Sequence, residues 1–577
     1  MEATPSLHNR RPARLGAFAL IAVLCVVAPL LIARHYGALG IPRGDDWSYL
    51  LTLFRLSDTG QLNGNNWVSM TLLGQLVIAL PVVGIFGHDI AALQVLTAVL
   101  GFCGLVATVV LGRRLIGIWP AVLVAVTVGA GPLWGPLAAS YMTDVPAFAF
   151  SMMALACAAV ALTRKPIAMS WVAASLVLAL VAFSIRQYAF VLVIAIPLTT
   201  GWALLSNGEG RRLRPLAAMT VGAVACAFAV YAFWQAIPDL KVYVPTFPTG
   251  HTGSVTVIKG AGYARLFGLL LAPVVALAGP VRIARRAWRA APATTVVLSG
   301  GLLLVLTVVS AHVPKQEFVG NYIEQNGALT RDVMFGDRPD LFPSILYLLL
   351  VAIATISAIL IVIAAIPAAR RLIDRLRTRT FGLDEPLIAL IALVAAGYTA
   401  AYIFAMATGV SVYDRYALPV LPLVGILVLH TARTTAEEPA REPSHRRARH
   451  VAAGVALAGI ALLGLVYTMD SASFDGTRWR VSEAVTREGY RANQINGGFE
   501  WLNYYRGHMK PRTITGTGAA VETSTFCVNV YVNPPHIDGK AIAVGEYTLP
   551  TRHAAKIIAI RNKKPCKLAH PVAALGR

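Results

Sequence analysis

The feature that most constrains this chain is a series of apolar runs of roughly 18–25 residues, separated by short polar segments. A helix of that length can cross the hydrocarbon core of a bilayer, which is about 30 Å thick. Of the 577 residues, 56% are hydrophobic and 14% are charged, whereas a soluble domain carries about 25% charged residues. The sequence therefore predicts a polytopic membrane protein, and it excludes disordered, fibrous and ordinary soluble chains.

The net charge of +22 is concentrated between the apolar runs. Basic clusters recur there, at residues 10–14, 113–114, 164–165, 211–214, 282–289, 370–379 and 433–449. Positive charge in the short connections between spans is typical of the cytoplasmic side of a membrane. The charge therefore indicates topology, and we expect no nucleic-acid partner.

The apolar run Met70–Phe86 decides how the spans alternate. It has 17 residues and contains two glycines, a glutamine and a proline. If it crossed the membrane, every later basic cluster would lie outside, so the charge rule predicts an interfacial or re-entrant segment. About 13 spans remain, with the N-terminus in the cytoplasm. They lie near 15–33, 90–112, 118–138, 146–163, 167–184, 188–205, 216–236, 262–281, 292–311, 342–367, 384–407, 417–432 and 451–468.

The C-terminal segment differs in composition from the rest of the chain. It contains no apolar run long enough to span, Thr525–Val532 has a strand-like pattern, and Asn533–Gly539 is typical of a turn. The predicted fold class is mainly α: a transmembrane bundle followed by a small extracytoplasmic α+β domain. The bundle covers residues 1–469, the domain covers 470–577, and the long external loops are 35–89, 238–261 and 312–341.

Six cysteines are present, and two of them, Cys527 and Cys566, lie in the polar C-terminal segment. A long-range pair in such a segment favours a disulfide and an oxidising compartment; two free thiols are the alternative. The other four lie in apolar runs, where cysteine is usually a small buried hydrophobic residue. No Cys/His spacing typical of a metal site occurs.

Three carboxylates lie on the predicted external side. Asp45 and Asp46 follow the first span, and Asp144 begins a later one. Adjacent carboxylates repel each other, which suits a general base with a raised pKa, and carboxylate oxygens also bind divalent cations such as Mg²⁺ or Mn²⁺. A cation held by Asp45, Asp46 and Asp144 is therefore one hypothesis. Helix N-caps, or a solvated turn at Asp45 and Asp46, are the structural alternatives.

Two arginines lie on the same side, which is otherwise poor in cations. Arg186 occupies a tight turn, and Arg415 follows Asp414 in a second short loop. Guanidinium groups bind phosphate through paired hydrogen bonds. A headgroup anchor for Arg186 and an ion pair between Arg415 and Asp414 are the alternatives. The candidate substrate-binding residues are Asp144, Arg186, Gln187, Tyr413, Arg415 and Tyr416.

The order of these motifs resembles that of the GT-C superfamily of membrane glycosyltransferases, especially the protein mannosyltransferases and lipid A aminoarabinose transferases. The resemblance covers roughly residues 10–470. It rests on the carboxylate pair, on Met142–Phe148 opening the fourth span, on the basic turn after the fifth, and on Tyr413–Pro422. A weaker likeness lies in Gly497–Asn503. The chain departs from the family pattern in having Asp-Asp where mannosyltransferases favour Asp-Glu, and Arg-Gln where many relatives place Lys-Gly.

The resemblance implies a sugar donor linked to polyprenyl phosphate and an active site at the outer membrane face. Asp45 or Asp46 would be the catalytic base or a metal ligand, Asp144 a second acidic group, and Arg186 and Arg415 ligands of the lipid phosphate. We expect an inverting glycosyltransferase in a bacterial plasma membrane, acting on an extracytoplasmic glycan, lipid or protein. A secondary transporter or lipid flippase is the alternative, and it predicts mid-span charges and two related halves.

Overall fold

The computed structural model describes residues 11–241, 247–313, 317–328, 334–336, 338–378, 385–433, 443–507, 526–534, 539–548, 550 and 554–562. Helices dominate these ranges, and a small sheet lies at one end of the helical bundle. The predicted fold class, a multi-pass helical bundle with a small α+β region near the C-terminus, is confirmed.

The first half of the bundle contains eleven helices, of which the first two are joined by a π-helical turn at Val23–Val27. Their bounds are α1 (Arg11–Ala22), α2 (Ala28–Tyr36), α3 (Asp46–Thr59), α4 (Leu73–Phe86), α5 (Ile90–Ile116), α6 (Ile118–Gly129), α7 (Trp134–Ala138), α8 (Asp144–Leu162), α9 (Met169–Ile185), α10 (Phe190–Ser206) and α11 (Leu213–Gln235).

The second half contains ten helices in the described ranges. Their bounds are α12 (Gly250–Leu270), α13 (Ala272–Ala278), α14 (Pro280–Ala290), α15 (Pro292–His312), α16 (Ser344–Ala364), α17 (Ile366–Thr378), α18 (Glu385–Ala407), α19 (Leu421–Arg433), α20 (Pro443–Arg487) and α21 (Phe499–Arg506). Because α12 begins at Gly250, the predicted loop 238–261 is corrected: its second half is helical.

Nine helical spans in the described ranges are long and apolar enough to cross a membrane. A tenth is formed if α12 and α13, which meet at 61°, are counted as one span. The other three predicted spans contain the shorter apolar helices α6, α9 and α19, of 12, 17 and 13 residues. Each predicted span therefore contains an apolar helix, although length and composition identify only nine or ten of them as spans.

Several of the basic clusters meet at one end of the bundle, which we call the arginine-rich end. Arg114 donates a hydrogen bond to the Thr163 hydroxyl, and Arg286 donates one to the Ala432 carbonyl. These contacts join clusters that are far apart in sequence, as the charge rule requires. We call the opposite end, where the sheet lies, the site end.

Helix α4 has both of its ends at the site end. The Thr71 hydroxyl, just before it, donates to the Phe183 carbonyl at 2.7 Å, and His88, just after it, contacts Asp58 at 2.9 Å. Its 14 residues give a length of about 21 Å, too short for the bilayer core. This geometry agrees with the prediction that Met70–Phe86 does not span.

The sheet has five strands, four of them in the order β1-β3-β5-β4, and the fifth, β2, also pairs with β3. Strands β3 and β5 pair antiparallel with Val530 opposite Ala559, and β4 pairs antiparallel with β5. Strand β3 confirms the strand predicted within Thr525–Val532. The bounds are β1 (Phe335–Gly336), β2 (Ile495–Asn496), β3 (Val528–Val532), β4 (Ala541–Tyr547) and β5 (Ala555–Arg561).

Helix α20 links the bundle to the sheet. Its 45 residues give a length of about 67 Å, more than twice the bilayer core, and its last turns pack against β4. The predicted domain boundary between residues 469 and 470 therefore falls inside a continuous helix. In addition, strand β1 of the sheet comes from the predicted external loop 312–341. Cys527, which immediately precedes β3, is disulfide-bonded, whereas Cys566 lies outside the described residues.

A buried ion pair anchors the segment after β1 to α20. Arg338 pairs with Asp470, donates a hydrogen bond to the Tyr547 hydroxyl at 3.3 Å, and lies 4.1 Å above the Phe474 ring. The side chains of Arg338 and Asp470 are 2% and 0% exposed. Because removal of one partner leaves a buried charge uncompensated, this contact holds the sheet on the bundle.

Replacing Arg338 with alanine is expected to destabilise the protein by about 3–5 kcal/mol, because Asp470 would remain buried without its partner. The measurement is the thermal unfolding midpoint of the purified protein in detergent. The control is Arg55→Ala, since the exposed Arg55 side chain donates a hydrogen bond to the exposed Gln61 side chain at 3.2 Å; its effect should stay within about 0.5 kcal/mol. Equal midpoints for the two variants would contradict the anchoring role.

Candidate functional site

The turn before α3 presents Asp45 to the interior of the site end. Gly44 adopts φ = 63°, which favours glycine, and Asp45 follows it as the residue before α3. Its side chain makes no capping hydrogen bond. It accepts one from the Trp67 indole at 2.9 Å and one from Arg415 at 2.7 Å. The helix-cap alternative is therefore wrong for Asp45.

Asp46 differs from Asp45 in its environment. It is 0% exposed, and its carboxylate accepts hydrogen bonds from the main-chain N–H groups of Arg43 and, at 3.0 Å, Tyr141. Burial raises the pKa of Asp46 well above its usual range, although these N–H donors oppose the shift. These contacts tie the turn before α3 to the segment before α8, so Asp46 occupies a structural position.

Four charged side chains form a row at the site end, which we call the charged row: Asp45, Arg415, Asp144 and Arg186. Asp45 Oδ2 lies 2.7 Å from Arg415, Arg415 Nε lies 3.8 Å from Asp144 Oδ2, and that same oxygen lies 2.8 Å from Arg186. The charges alternate and sum to zero. The side chains of Asp144, Arg186 and Arg415 are at most 5% exposed, whereas that of Asp45 is 19% exposed.

The arginines of the charged row lie over tyrosine rings. Arg186 lies 4.9 Å above Tyr416, and Arg415 lies 4.9 Å above Tyr413. Although burial disfavours the charge of Arg415, Asp45 and then Asp144 raise its pKa. Both guanidinium groups are therefore held charged in a buried, aromatic setting, where their electrostatic interactions are stronger than in water.

Asp414 does not pair with the Arg415 side chain, so that alternative is wrong. Its carboxylate accepts hydrogen bonds from the main-chain N–H groups of Tyr322 and Ile323 at 2.7 and 2.8 Å, and from that of Arg415 itself at 2.7 Å. Burial raises the pKa of Asp414 to about 7 against these donors. Its role is to hold the described segment 317–328 beside the charged row, where Asn321 accepts from Arg415 at 2.8 Å.

The remaining predicted side chains lie beside the row. Gln187 donates to the Ser69 carbonyl at 3.0 Å, so it fastens the segment before α4. The Tyr413 carbonyl accepts a hydrogen bond from the Tyr263 hydroxyl. All six predicted substrate-binding residues therefore lie at the site end, and Asp144 contacts both Arg186 and Arg415.

A second buried network supports the turn that carries Asp45. Arg43 pairs with Asp475 of α20 at 2.9 Å, and Glu500 of α21 accepts from the Gly44 N–H at 3.0 Å. Arg478 joins the two, contacting Asp475 at 3.4 Å and Glu500 at 2.5 Å. The segment Gly497–Asn503, singled out by the resemblance, therefore lies directly behind the candidate base.

Two lysines of the predicted loop 238–261 also lie close to the charged row. Lys241 lies 3.6 Å above the Trp67 ring, and burial lowers its pKa while Asp45 opposes the shift. Lys259 donates to the Val412 carbonyl at 3.1 Å, next to the loop that carries Arg415. Neither lysine was predicted from the sequence. The available signal was their rarity, since only four lysines precede residue 500 and three of these lie in predicted external loops.

The residues do not fit the hypothesis of a cation at Asp45, Asp46 and Asp144. Asp45 and Asp144 are occupied by guanidinium groups, and Asp46 accepts from main-chain N–H groups. Within the ranges that the structure describes, no three His, Cys, Asp or Glu side chains are grouped closely enough to hold a metal ion.

No family model matches this chain, and no curated protein matches it in sequence. Among solved structures, it is similar to ArnT from Cupriavidus metallidurans bound to undecaprenyl phosphate, with 14% identity and a TM-score of 0.42 over 95% of this chain and 98% of that one. It is also similar to the oligosaccharyltransferase AglB from Archaeoglobus fulgidus, with 14% identity and a TM-score of 0.42 over 82% of this chain and 58% of that one.

ArnT is a lipid A aminoarabinose transferase, one of the two groups that the order of the motifs resembles, and AglB is an oligosaccharyltransferase. The chain spans less than two thirds of the length of AglB. At this identity and TM-score the likeness carries no argument about function, which has to come from the chain's own residues.

Replacing Glu500 with alanine is expected to loosen the turn that carries Asp45, because the Gly44 N–H loses its acceptor and Arg478 loses a buried partner. The measurement is hydrogen–deuterium exchange of peptides covering residues 40–50, which should speed up at least severalfold. Glu483→Ala is the matched control, since Glu483 is an exposed residue of α20. Unchanged exchange in Glu500→Ala would show that the network does not order the turn.

Proposed function

We propose that this protein is an integral membrane glycosyltransferase, which moves a sugar from a polyprenyl-phosphate donor to an extracytoplasmic acceptor with inversion. The observation that carries the proposal is the charged row, in which two buried arginines and two carboxylates meet at one end of an apolar bundle, with Asp45 as the most exposed member. A donor whose tail lies in the bilayer and whose phosphate lies at its edge matches such a site.

The orientation proposed for the site end is outward, because the basic clusters gather at the other end and positive charge favours the cytoplasm. The membrane is proposed to be a bacterial plasma membrane, with the N-terminus cytoplasmic. The bundle over 1–469 would then hold the catalytic site, while residues 470–577 would form the extracytoplasmic part that supports it.

Each member of the charged row has a proposed role. Arg186 and Arg415 bind the donor phosphate, because their buried guanidinium groups favour an anion. Asp144 lies between them and keeps them in position. Lys241 and Lys259 add two positive charges beside a row whose own charges cancel, so a negatively charged phosphate is favoured there.

Asp45 is the proposed general base. It is more exposed than the rest of the row, and the Trp67 and Arg415 hydrogen bonds fix its orientation. The acceptor oxygen attacks the anomeric carbon while its proton passes to Asp45. The bond between that carbon and the phosphate oxygen breaks, and the polyprenyl phosphate departs with the bonding electron pair. Attack from the face opposite the leaving group inverts the anomeric configuration.

The position of the buried ion pairs favours an enzyme over a secondary transporter or flippase, although one buried cation, Arg265 of α12, lies among the helices of the bundle, where it donates to the Leu306 carbonyl. A transporter is expected to place ionisable residues at mid-membrane. Among the described residues, the fully buried ion pairs, such as Arg43–Asp475 and Arg338–Asp470, lie at the site end together with the charged row.

The direct test is incubation of the purified protein with a panel of radiolabelled polyprenyl-phosphate sugars, in which consumption of one donor supports the enzyme and consumption of none contradicts it.

Replacing Asp45 with asparagine is expected to lower turnover of that donor about a hundredfold or more, because the acceptor proton loses its base. The thermal midpoint should fall by less than in Arg338→Ala, since asparagine can still accept from Trp67 and Arg415 and Arg415 keeps Asp144 as a charged neighbour. The matched control is Asp58→Asn, an exposed carboxylate of the same helix, which should retain full turnover. Undiminished turnover in Asp45→Asn would contradict the assignment of the base.

A further inference from the structure

The site contains a buried hydroxyl group with no partner. Tyr49 lies one helical turn after Asp45, so the two side chains share a face of α3. It is 0% exposed, and its hydroxyl has no hydrogen-bond partner among the described residues. The charges of all four members of the charged row, Asp45, Arg186, Arg415 and Asp144, act on that hydroxyl.

Other polar atoms around the same charges are also without a hydrogen bond. They are Asp144 Oδ1, Arg415 Nε and the Tyr188 hydroxyl, in the part of the chain that the structure describes. Buried polar atoms in native proteins are nearly always paired, with protein groups, water or a ligand. Several orphaned atoms around one cluster indicate a place where the polar atoms of a ligand complete the hydrogen bonding.

The chemistry of Tyr49 restricts what that ligand atom can be. Burial raises the pKa of the Tyr49 hydroxyl well above its usual range, and Asp45 acts in the same direction, so the group keeps its proton and can donate. Two guanidinium groups and two carboxylates act on the same position. Because each carboxylate is already paired with a guanidinium group, an acceptor that enters there meets guanidinium donors that favour an anion. A phosphate oxygen satisfies both conditions, whereas a neutral sugar hydroxyl satisfies only the first.

We propose that the Tyr49 hydroxyl donates a hydrogen bond to a phosphate oxygen of the polyprenyl-phosphate donor; the inference rests on the function proposed above. No proton is transferred from Tyr49. When the bond between the anomeric carbon and the phosphate oxygen breaks, the electron pair stays on the phosphate. The hydrogen bond from Tyr49 then strengthens, because its acceptor gains negative charge.

Tyr49→Phe tests this inference, because it removes one hydroxyl and nothing else. The variant should lose about tenfold in affinity for undecaprenyl phosphate, the value expected for a hydrogen bond to a charged group, measured by titration calorimetry in detergent. Its affinity for undecaprenol, which lacks the phosphate, should not change. Its thermal midpoint should equal or exceed that of the wild type, since no internal hydrogen bond is lost.

The matched control is Tyr398→Phe, which removes a buried hydroxyl that contacts Ser151 at 3.3 Å and should leave the affinity for undecaprenyl phosphate unchanged. Equal affinity in Tyr49→Phe and wild type would overturn the inference while leaving the proposed function intact. A lower midpoint in Tyr49→Phe would also overturn it, by showing that the hydroxyl is paired within the protein. A wild-type protein that does not bind undecaprenyl phosphate would contradict the proposed function itself.

Discussion

The mutual neutralisation of Asp45, Arg415, Asp144 and Arg186 is the interaction on which the site depends. A charge removed from water is costly unless a charge of opposite sign and hydrogen bonds compensate it. Because three of these side chains are almost fully buried, none of them can be held in place without its neighbours. The pairing therefore forces four distant parts of the sequence to meet at one end of an otherwise apolar bundle.

The surrounding structure keeps this row in position through a second set of buried contacts. Asp46 and Asp414 accept hydrogen bonds from main-chain N–H groups. These bonds fix the two segments that carry Asp45 and Arg415. Arg43 and Glu500 tie the first of these segments to α20 and α21. The C-terminal part of the chain is thus coupled to the candidate base, although it lies more than 400 residues away in sequence.

Much of the fold could be predicted because a bilayer imposes strict rules on length and charge. Apolar runs located the spans, and the arginine clusters showed that Met70–Phe86 lies at one end of the bundle. Two features could not be predicted in this way. Strand β1 joins a sheet formed mainly by residues after 494, and α20 continues past residue 470. Both depend on tertiary contacts that have no signal in local composition.

Most of the residues that lie together in the candidate site were predicted from the sequence, whereas their separate roles were not. The sequence alone could not show which of Asp45 and Asp46 is the candidate base. The two residues are adjacent and identical, and they differ only in what surrounds each of them in the folded protein. Arg415 was predicted to bind phosphate or to pair with its neighbour Asp414. Its ion-pair partner is Asp45 and not Asp414, whereas phosphate binding stays a prediction. Tyr49 could not be predicted, because a buried tyrosine has no distinctive sequence pattern, whereas the two lysines could have been found from the rarity of lysine in this chain.

The central claim is that the charged row receives the phosphate of a lipid-linked sugar. The most direct measurement is photo-cross-linking with a polyprenyl-phosphate analogue that carries a diazirine in the isoprene unit next to the phosphate, followed by mass spectrometry of the labelled peptides. The account predicts labelling in peptides that contain residues 45–49, 184–190 and 413–418. Labelling confined to the arginine-rich end, on α14 or α17, would contradict it.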